Sequence, residues 1–210
     1  MKSKLFFILL ILLQFSCKDK TEKQVKNQNS KTEKTELQKV ETKVETAKKF
    51  DFEKFTISNG EIGEIKIGMT IKDAEKLLNQ LSKEETEAYD FGFDGGGKAY
   101  LYSLGKEFVI GLIPKRDSQE ILAIVALSKN LKTGNGLNPN STVSEIQAKY
   151  PNIKVNQNLM MDWEFIQDEK NNLEFVFMTN EKNRIGEYNE LETPVKPKRT
   201  NTKADWITIK

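Results

Sequence analysis

Few side chains in this 210-residue chain are equipped for covalent or acid–base chemistry. It has one cysteine, Cys17, and no histidine. Without an imidazole it lacks the commonest general base, the serine and cysteine triads that depend on it, and most zinc sites. Asp94-Gly95-Gly96-Gly97-Lys98 has glycines and a lysine, but neither the spacing of a phosphate loop nor a helix pattern after it, and reads as a hairpin turn. Two acids, Asp90 and Asp94, flank Phe91-Gly92-Phe93. On an extended strand they share a face about 13 Å apart. A tight bend is needed before they converge on a calcium ion or a sugar; otherwise they are solvent-facing turn residues. Glu84, Glu85 and Glu87 read as a solvated loop. No catalytic residue, metal site or cofactor is expected. Aromatic recognition is the remaining chemistry, with Tyr100, Tyr102 and Trp163 as candidates beside Asp90 and Asp94. Strand alternation assigns most of the other aromatics, Phe91, Phe93, Phe165, Phe175, Phe177 and Trp206, to a core.

The cysteine has its own context. Lys2 and Lys4 precede an unbroken apolar run from Leu5 to Leu13, followed by Gln14, Phe15, Ser16 and Cys17. The run is too short for a membrane-spanning helix, which needs about 20 residues, and fits a secretory leader. The end of this segment resembles the lipobox of bacterial lipoproteins, with Leu13 one place further from the cysteine than is usual. That resemblance implies cleavage after residue 16, diacylglycerol on the Cys17 sulfur and an acylated amine. Three acyl chains hold a protein stably on a bilayer where one does not. Lys18 at the next position, with Asp19 only after it, favours the outer membrane, on its periplasmic or its surface face. With one cysteine there is no intramolecular disulfide, so the folded part is held by packing alone.

From Lys18 to Lys49 the chain is mostly Lys, Glu, Thr, Gln and Asn, with no glycine, proline or aromatic residue. Such a stretch buries too little apolar surface to offset its ordering entropy. Residues 17–50 are therefore expected to be a lipidated, disordered tether, spanning about 30 Å as a coil. The tether has ten lysines against six acids, the leader adds two lysines, and the whole chain is +2, which leaves −4 on residues 51–210. An acidic body argues against nucleic-acid binding.

Positioning any site falls to residues 51–210. Thr70 and Thr142 each precede an acid by three residues, Asp73 and Glu145, as a helix-capping box does. Apolar stripes follow: Ile71, Ala74, Leu77, Leu78 and Leu81, then Val143, Ile146 and Tyr150, with Pro151 as a stop. Alternation predicts strands over 89–93, 99–103, 107–113 and 121–128, then over 153–157, 161–167, 173–179 and 206–209. Pro194 to Arg199 reads as an exposed basic linker. The expected fold class is α+β: two pseudo-repeated modules, about 55–130 and 131–210, each a helix followed by an antiparallel meander.

Ile67-Gly68-Met69-Thr70 and the amphipathic stretch after it resemble the opening of the SmpA/OmlA (BamE-like) envelope lipoproteins. The tandem helix-plus-meander pattern is similar to that of beta-lactamase inhibitory protein. Both resemblances imply small binding modules without catalytic residues. The first expectation is a non-catalytic module that binds an envelope protein partner through an exposed apolar or aromatic patch. The second is a small-ligand or glycan-binding lipoprotein with tyrosine, tryptophan and carboxylates converging on a concave site. The third, a hydrolase using two carboxylates, is disfavoured by the missing histidine.

Overall fold

In the computed structural model, residues 50–210 are described; the expected leader (1–16), lipidated Cys17 and the tether up to residue 49 lie outside the described residues. Phe50, at the expected end of the tether, is buried, stacked on Phe55 at 4.7 Å and edge-on to Phe52 at 4.9 Å. A small antiparallel sheet of three short strands follows: β1 (Ile57–Ser58), β2 (Glu61–Ile62) and β3 (Ile65–Lys66). Ile57, Ile62 and Ile65 all point into the core. Two residues per strand are too few for alternation to register, and this sheet has no counterpart in the sequence reading.

Helix α1 (Ile71–Leu77) begins where the Thr70 hydroxyl accepts the Asp73 amide at 3.2 Å. Later in the chain, α2 (Val143–Lys149) begins with a complete capping box. There the Thr142 hydroxyl accepts the Glu145 amide at 3.2 Å, and the Glu145 carboxylate accepts the Thr142 amide at 2.7 Å. Each helix has seven residues, about two turns. Each presents only two buried side chains, Ile71 and Ala74 or Val143 and Ile146. The apolar periodicity is real, but most of the apolar surface it must cover belongs to strands.

Those strands form one antiparallel sheet: β4 (Ser82–Glu87), β5 (Lys98–Leu104), β6 (Glu107–Pro114), β7 (Ile121–Ala126), β8 (Val155–Asn158), β9 (Trp163–Asp168), β10 (Leu173–Phe177) and β11 (Trp206–Ile209). Their spatial order is β4-β5-β6-β7-β11-β10-β9-β8. This corrects the expected fold class. The described residues form a mostly antiparallel structure of two sheets with two short helices, not an α+β pair of helix-plus-meander modules. A continuous ladder crosses the expected boundary, since Ile207 pairs with Ala126 and Ile209 with Ile124 on one side of β11, and Phe175 pairs with Ile207 on the other. The main core is likewise shared, packing Ile71, Tyr102 and Ile124 with Val143, Phe175 and Ile207. Two seven-residue helices could not each close a separate core; merging the strands removes two edges and buries both sets of apolar side chains together.

Two local expectations change as well. Glu84, Glu85 and Glu87, expected in a solvated loop, belong to the edge strand β4, paired along its length with β5. Its charges suit an edge, where they discourage further pairing, and they bind across the sheet: Glu85 to Lys98 at 2.8 Å and Lys83 to Glu75 of α1 at 2.6 Å. Conversely, 89–93 is not a strand. Ala88–Phe91 is a 3-10 turn, and Gly92 in the left-handed region ends it.

The long connection 178–205 is fixed by one buried acid. Glu164 of β9, 1% exposed, accepts from the amides of Ile185 (2.7 Å) and Gly186 (2.8 Å) and from the Tyr188 hydroxyl (2.7 Å). Burial first, then this carboxylate, raises the Tyr188 hydroxyl above the ordinary phenol range. The Pro194–Arg199 stretch is tied down too: Val195 exchanges backbone hydrogen bonds with Val155 at 2.8 and 3.0 Å, shielding part of the β8 edge. Thr46–Lys210 forms one compact unit, and both core clusters of the described residues lie within it, so this segment has what it needs to fold by itself.

Two outcomes are expected from unfolding experiments. Ile207 is fully buried at the centre of the sheet, so Ile207→Ala should cost about 2–5 kcal/mol in urea or thermal unfolding. The Thr142 amide, then its hydroxyl, hold the Glu145 carboxyl below its ordinary value of 4.5. Because the folded value is the lower one, the stabilisation is full above the unfolded value and is lost as pH falls through the folded one. The stability deficit of Glu145→Gln measured at neutral pH should therefore shrink in acid.

Candidate functional site

The sheet has two faces with different covers. One packs on the helices and the small sheet. The other carries a second apolar cluster of Ala99, Ala123, Val125, Trp163, Val176 and Trp206, with Phe91, Phe93 and Phe165 packed against it. Its cover is a strap, residues 88–97, which leaves the β4 edge and crosses this face. Register explains why two tryptophans meet there. Trp206 pairs with Val176, Val176 with Phe165, and Trp163 lies two residues before Phe165 on the same face. The indole rings pack edge to face at 5.0 Å, and Phe91 of the strap meets Trp206 edge-on at 5.7 Å. Such aromatic pairs contribute about 0.5–1.5 kcal/mol each beyond area burial.

Gly92 makes this approach feasible. Its φ is +81°, and a Cβ there would lie 2.7 Å from Cζ2 of Trp163. Further along, Gly96 stands over the β6–β7 turn, where a Cβ would be 3.5 Å from an Arg116 guanidinium nitrogen. The strap thus runs from Trp163 to Arg116, and between it and the sheet lies a cleft of about 420 Å³.

The cleft is graded along its length. Around Trp163 stand Phe91, Phe93, Phe165 and Asn158; Glu174 and Thr208 lie two residues along their strands from Val176 and Trp206, and Lys210 and Arg116 lie beyond them. Lys210 binds Glu174 at 2.7 Å, and the Glu174 side chain is largely shielded. Thr208, buried, accepts the Trp206 indole N–H at 3.1 Å. Both polar groups on the floor are therefore already engaged. The arrangement suits holding a molecule by ring contact and charge. Asp94, on the strap, is exposed at the cleft wall.

Of the five candidate residues, the structure brings Asp94 and Trp163 to this cleft. Asp90 sits in the 3-10 turn, accepting from the Thr86 hydroxyl at 2.5 Å. Tyr102 points to the opposite face and donates to Glu75 of α1 at 3.2 Å; burial, then that carboxylate, raises its hydroxyl above the ordinary range. Tyr100 packs on the main core beneath Lys83, whose ammonium lies 3.8 Å from the ring centre. Among the described residues no three acids or cysteines stand together as metal ligands. Sequence reasoning missed Arg116, Glu174 and Lys210. Their types are those of any exposed turn or strand end, and only the ladder puts them on one face.

Replacing Gly92 with valine should lift the strap, since a branched side chain fits neither the positive φ nor the gap to Trp163. The expected cost is about 1–3 kcal/mol. Red-shifted tryptophan emission and easier acrylamide quenching, with the sheet's circular dichroism retained, would register it.

No protein-family model matches the chain, and no curated protein matches it. Among solved structures, the uncharacterized protein yfeY from Escherichia coli is similar at 12% identity and a TM-score of 0.49, over 74% of this chain and 99% of that one. A likeness of that degree carries no argument about function.

Proposed function

We propose that this chain is a lipid-anchored protein of the bacterial outer membrane whose body binds a small molecule beneath the strap, without chemically changing it. The observation that carries this reading is the strap itself: it converts an apolar sheet face into a roofed cleft with aromatic and charged groups at opposite ends. Engaged floor groups, and a chain without histidine, favour binding over catalysis. Cys17 and the tether supply the membrane anchor in this reading, and no nucleic acid or cofactor is involved.

A protein partner is the second reading, favoured by one observation. Leu159, Met160 and Met178 are 46%, 57% and 60% exposed, and they adjoin the ends of β8 and β10 beside Trp163. Methionine-rich exposed rims suit adaptable contacts.

The full chain, extracted gently from its own membranes and examined by native mass spectrometry, should carry one small molecule in near-equal amount. Phe93→Ala, which trims the strap and leaves the sheet intact, should lower that occupancy at least tenfold. Cross-linking in intact cells, with Cys17→Ser as the unanchored control, tests the rival. An envelope protein recovered in equal amount from a chain that retains no small molecule would overturn the ligand reading.

A further inference from the structure

The charged end of the cleft holds a cation that makes no ion pair among the described residues. In the β6–β7 turn Lys115 is taken up by Glu120 at 2.6 Å, whereas Arg116 has no ion-pair partner among the described residues. Lys210 stands at the same end: Ile209 pairs with Ile124, so the next residue falls beside Ala123, whose partner on β6 is Ile113 at the foot of that turn. Lys210 spends part of its hydrogen-bonding capacity on Glu174. An ammonium has three donors, and one carboxylate oxygen engages one of them. The remaining acid of the cleft lining, Asp94, belongs to the middle of the strap, between Gly92 over Trp163 and Gly96 over Arg116. It suits a hydroxyl or amine on a ligand's body and leaves the Arg116 end cationic.

The opposite end is mainly aromatic, with Asn158 beside Trp163, and lies next to the exposed rim of Leu159, Met160 and Met178. Lys210 directly follows β11 and lies four residues from Trp206, which packs against Trp163, so the two ends are separated by about 13 Å. Because residues 51–210 carry a net −4, an anion is held here only by local cations.

We infer that the ligand is a small amphiphilic anion: an apolar ring or short chain against Trp163 and Phe165, and a carboxylate, phosphate or sulfonate at Arg116 and Lys210. This rests on the cleft being a ligand site. A guanidinium fork fits all three oxyanions, so geometry selects the class, not the member.

A matched pair of probes tests it on a soluble 46–210 chain. Anilinonaphthalene sulfonate and N-phenyl-naphthylamine share their rings and differ by the anionic group. Trp163 lines the cleft and Trp206, the other tryptophan of the chain, packs against it, so energy transfer from them accompanies binding there. The sulfonate probe should bind more tightly than the neutral one. Arg116→Gln should weaken the sulfonate probe about tenfold and leave the neutral probe unchanged; Lys106→Gln, an exposed cation in the β5–β6 turn, should alter neither. Equal binding of both probes, insensitive to Arg116→Gln, overturns the anionic head while the cleft reading stands. Failure of both probes to receive energy from the tryptophans overturns the cleft reading and this inference together.

Discussion

The last strand of the chain is the first requirement of the structure. β11, four residues long, lies between β7 and β10 in the middle of the eight-stranded sheet. Without it β7 and β10 are two unpaired apolar edges, the condition in which sheets pair with one another. All four of its residues are buried, and they pair with segments roughly 30 and 80 positions earlier. Such a fold closes late, because loop-closure entropy must be met before central contacts form. Three residues at the cleft also come from this end of the chain, Trp206 in the aromatic cluster and Thr208 and Lys210 on the floor, so site and fold are completed by the same event.

A sheet with apolar side chains on both faces needs two covers. The helices, the small sheet and the Phe50 cluster provide one. The other is only a strap ten residues long, and it cannot cover the whole face. The cleft follows from this imbalance: part of the second face is sealed by Phe91 on Trp206, and part is roofed without being filled. Glycine is what allows the strap to descend, since Gly92 accepts a left-handed backbone and brings no Cβ against the indole. A cover held by a few aromatic contacts and its own turn hydrogen bonds is the kind of element that opens locally at low cost. That is compatible with a ligand entering beneath it.

Charge is distributed by the same economy. Some surface ions pair locally, as Lys76 does with Asp73 and Lys115 with Glu120, and such exposed pairs add little to stability. The buried acid Glu164 is different, with three donors satisfying it and the long 178–205 connection hung from it. Losing those donors would leave a buried carboxylate uncompensated, which is costly.

What could be read from the residues was local. The threonine caps at Thr70 and Thr142, the stop near Pro151 and most core strands follow from interactions within a few residues, which the sequence displays directly. β4 was illegible because an edge strand with four charged residues has the composition of a loop, and its pairing with β5 is the only reason it is extended. The strap was misread as a strand because Phe91 and Phe93 alternate, although Gly92 between them takes a φ of +81°. Tyr100 and Tyr102 have the right chemistry for a site and the wrong face; Arg116 and Lys210 have ordinary chemistry and the right one. A strand's parity is visible in sequence, but which face becomes core and which becomes cleft is set by what packs on each. That was decided only when β11 joined the two halves and the strap closed over one side.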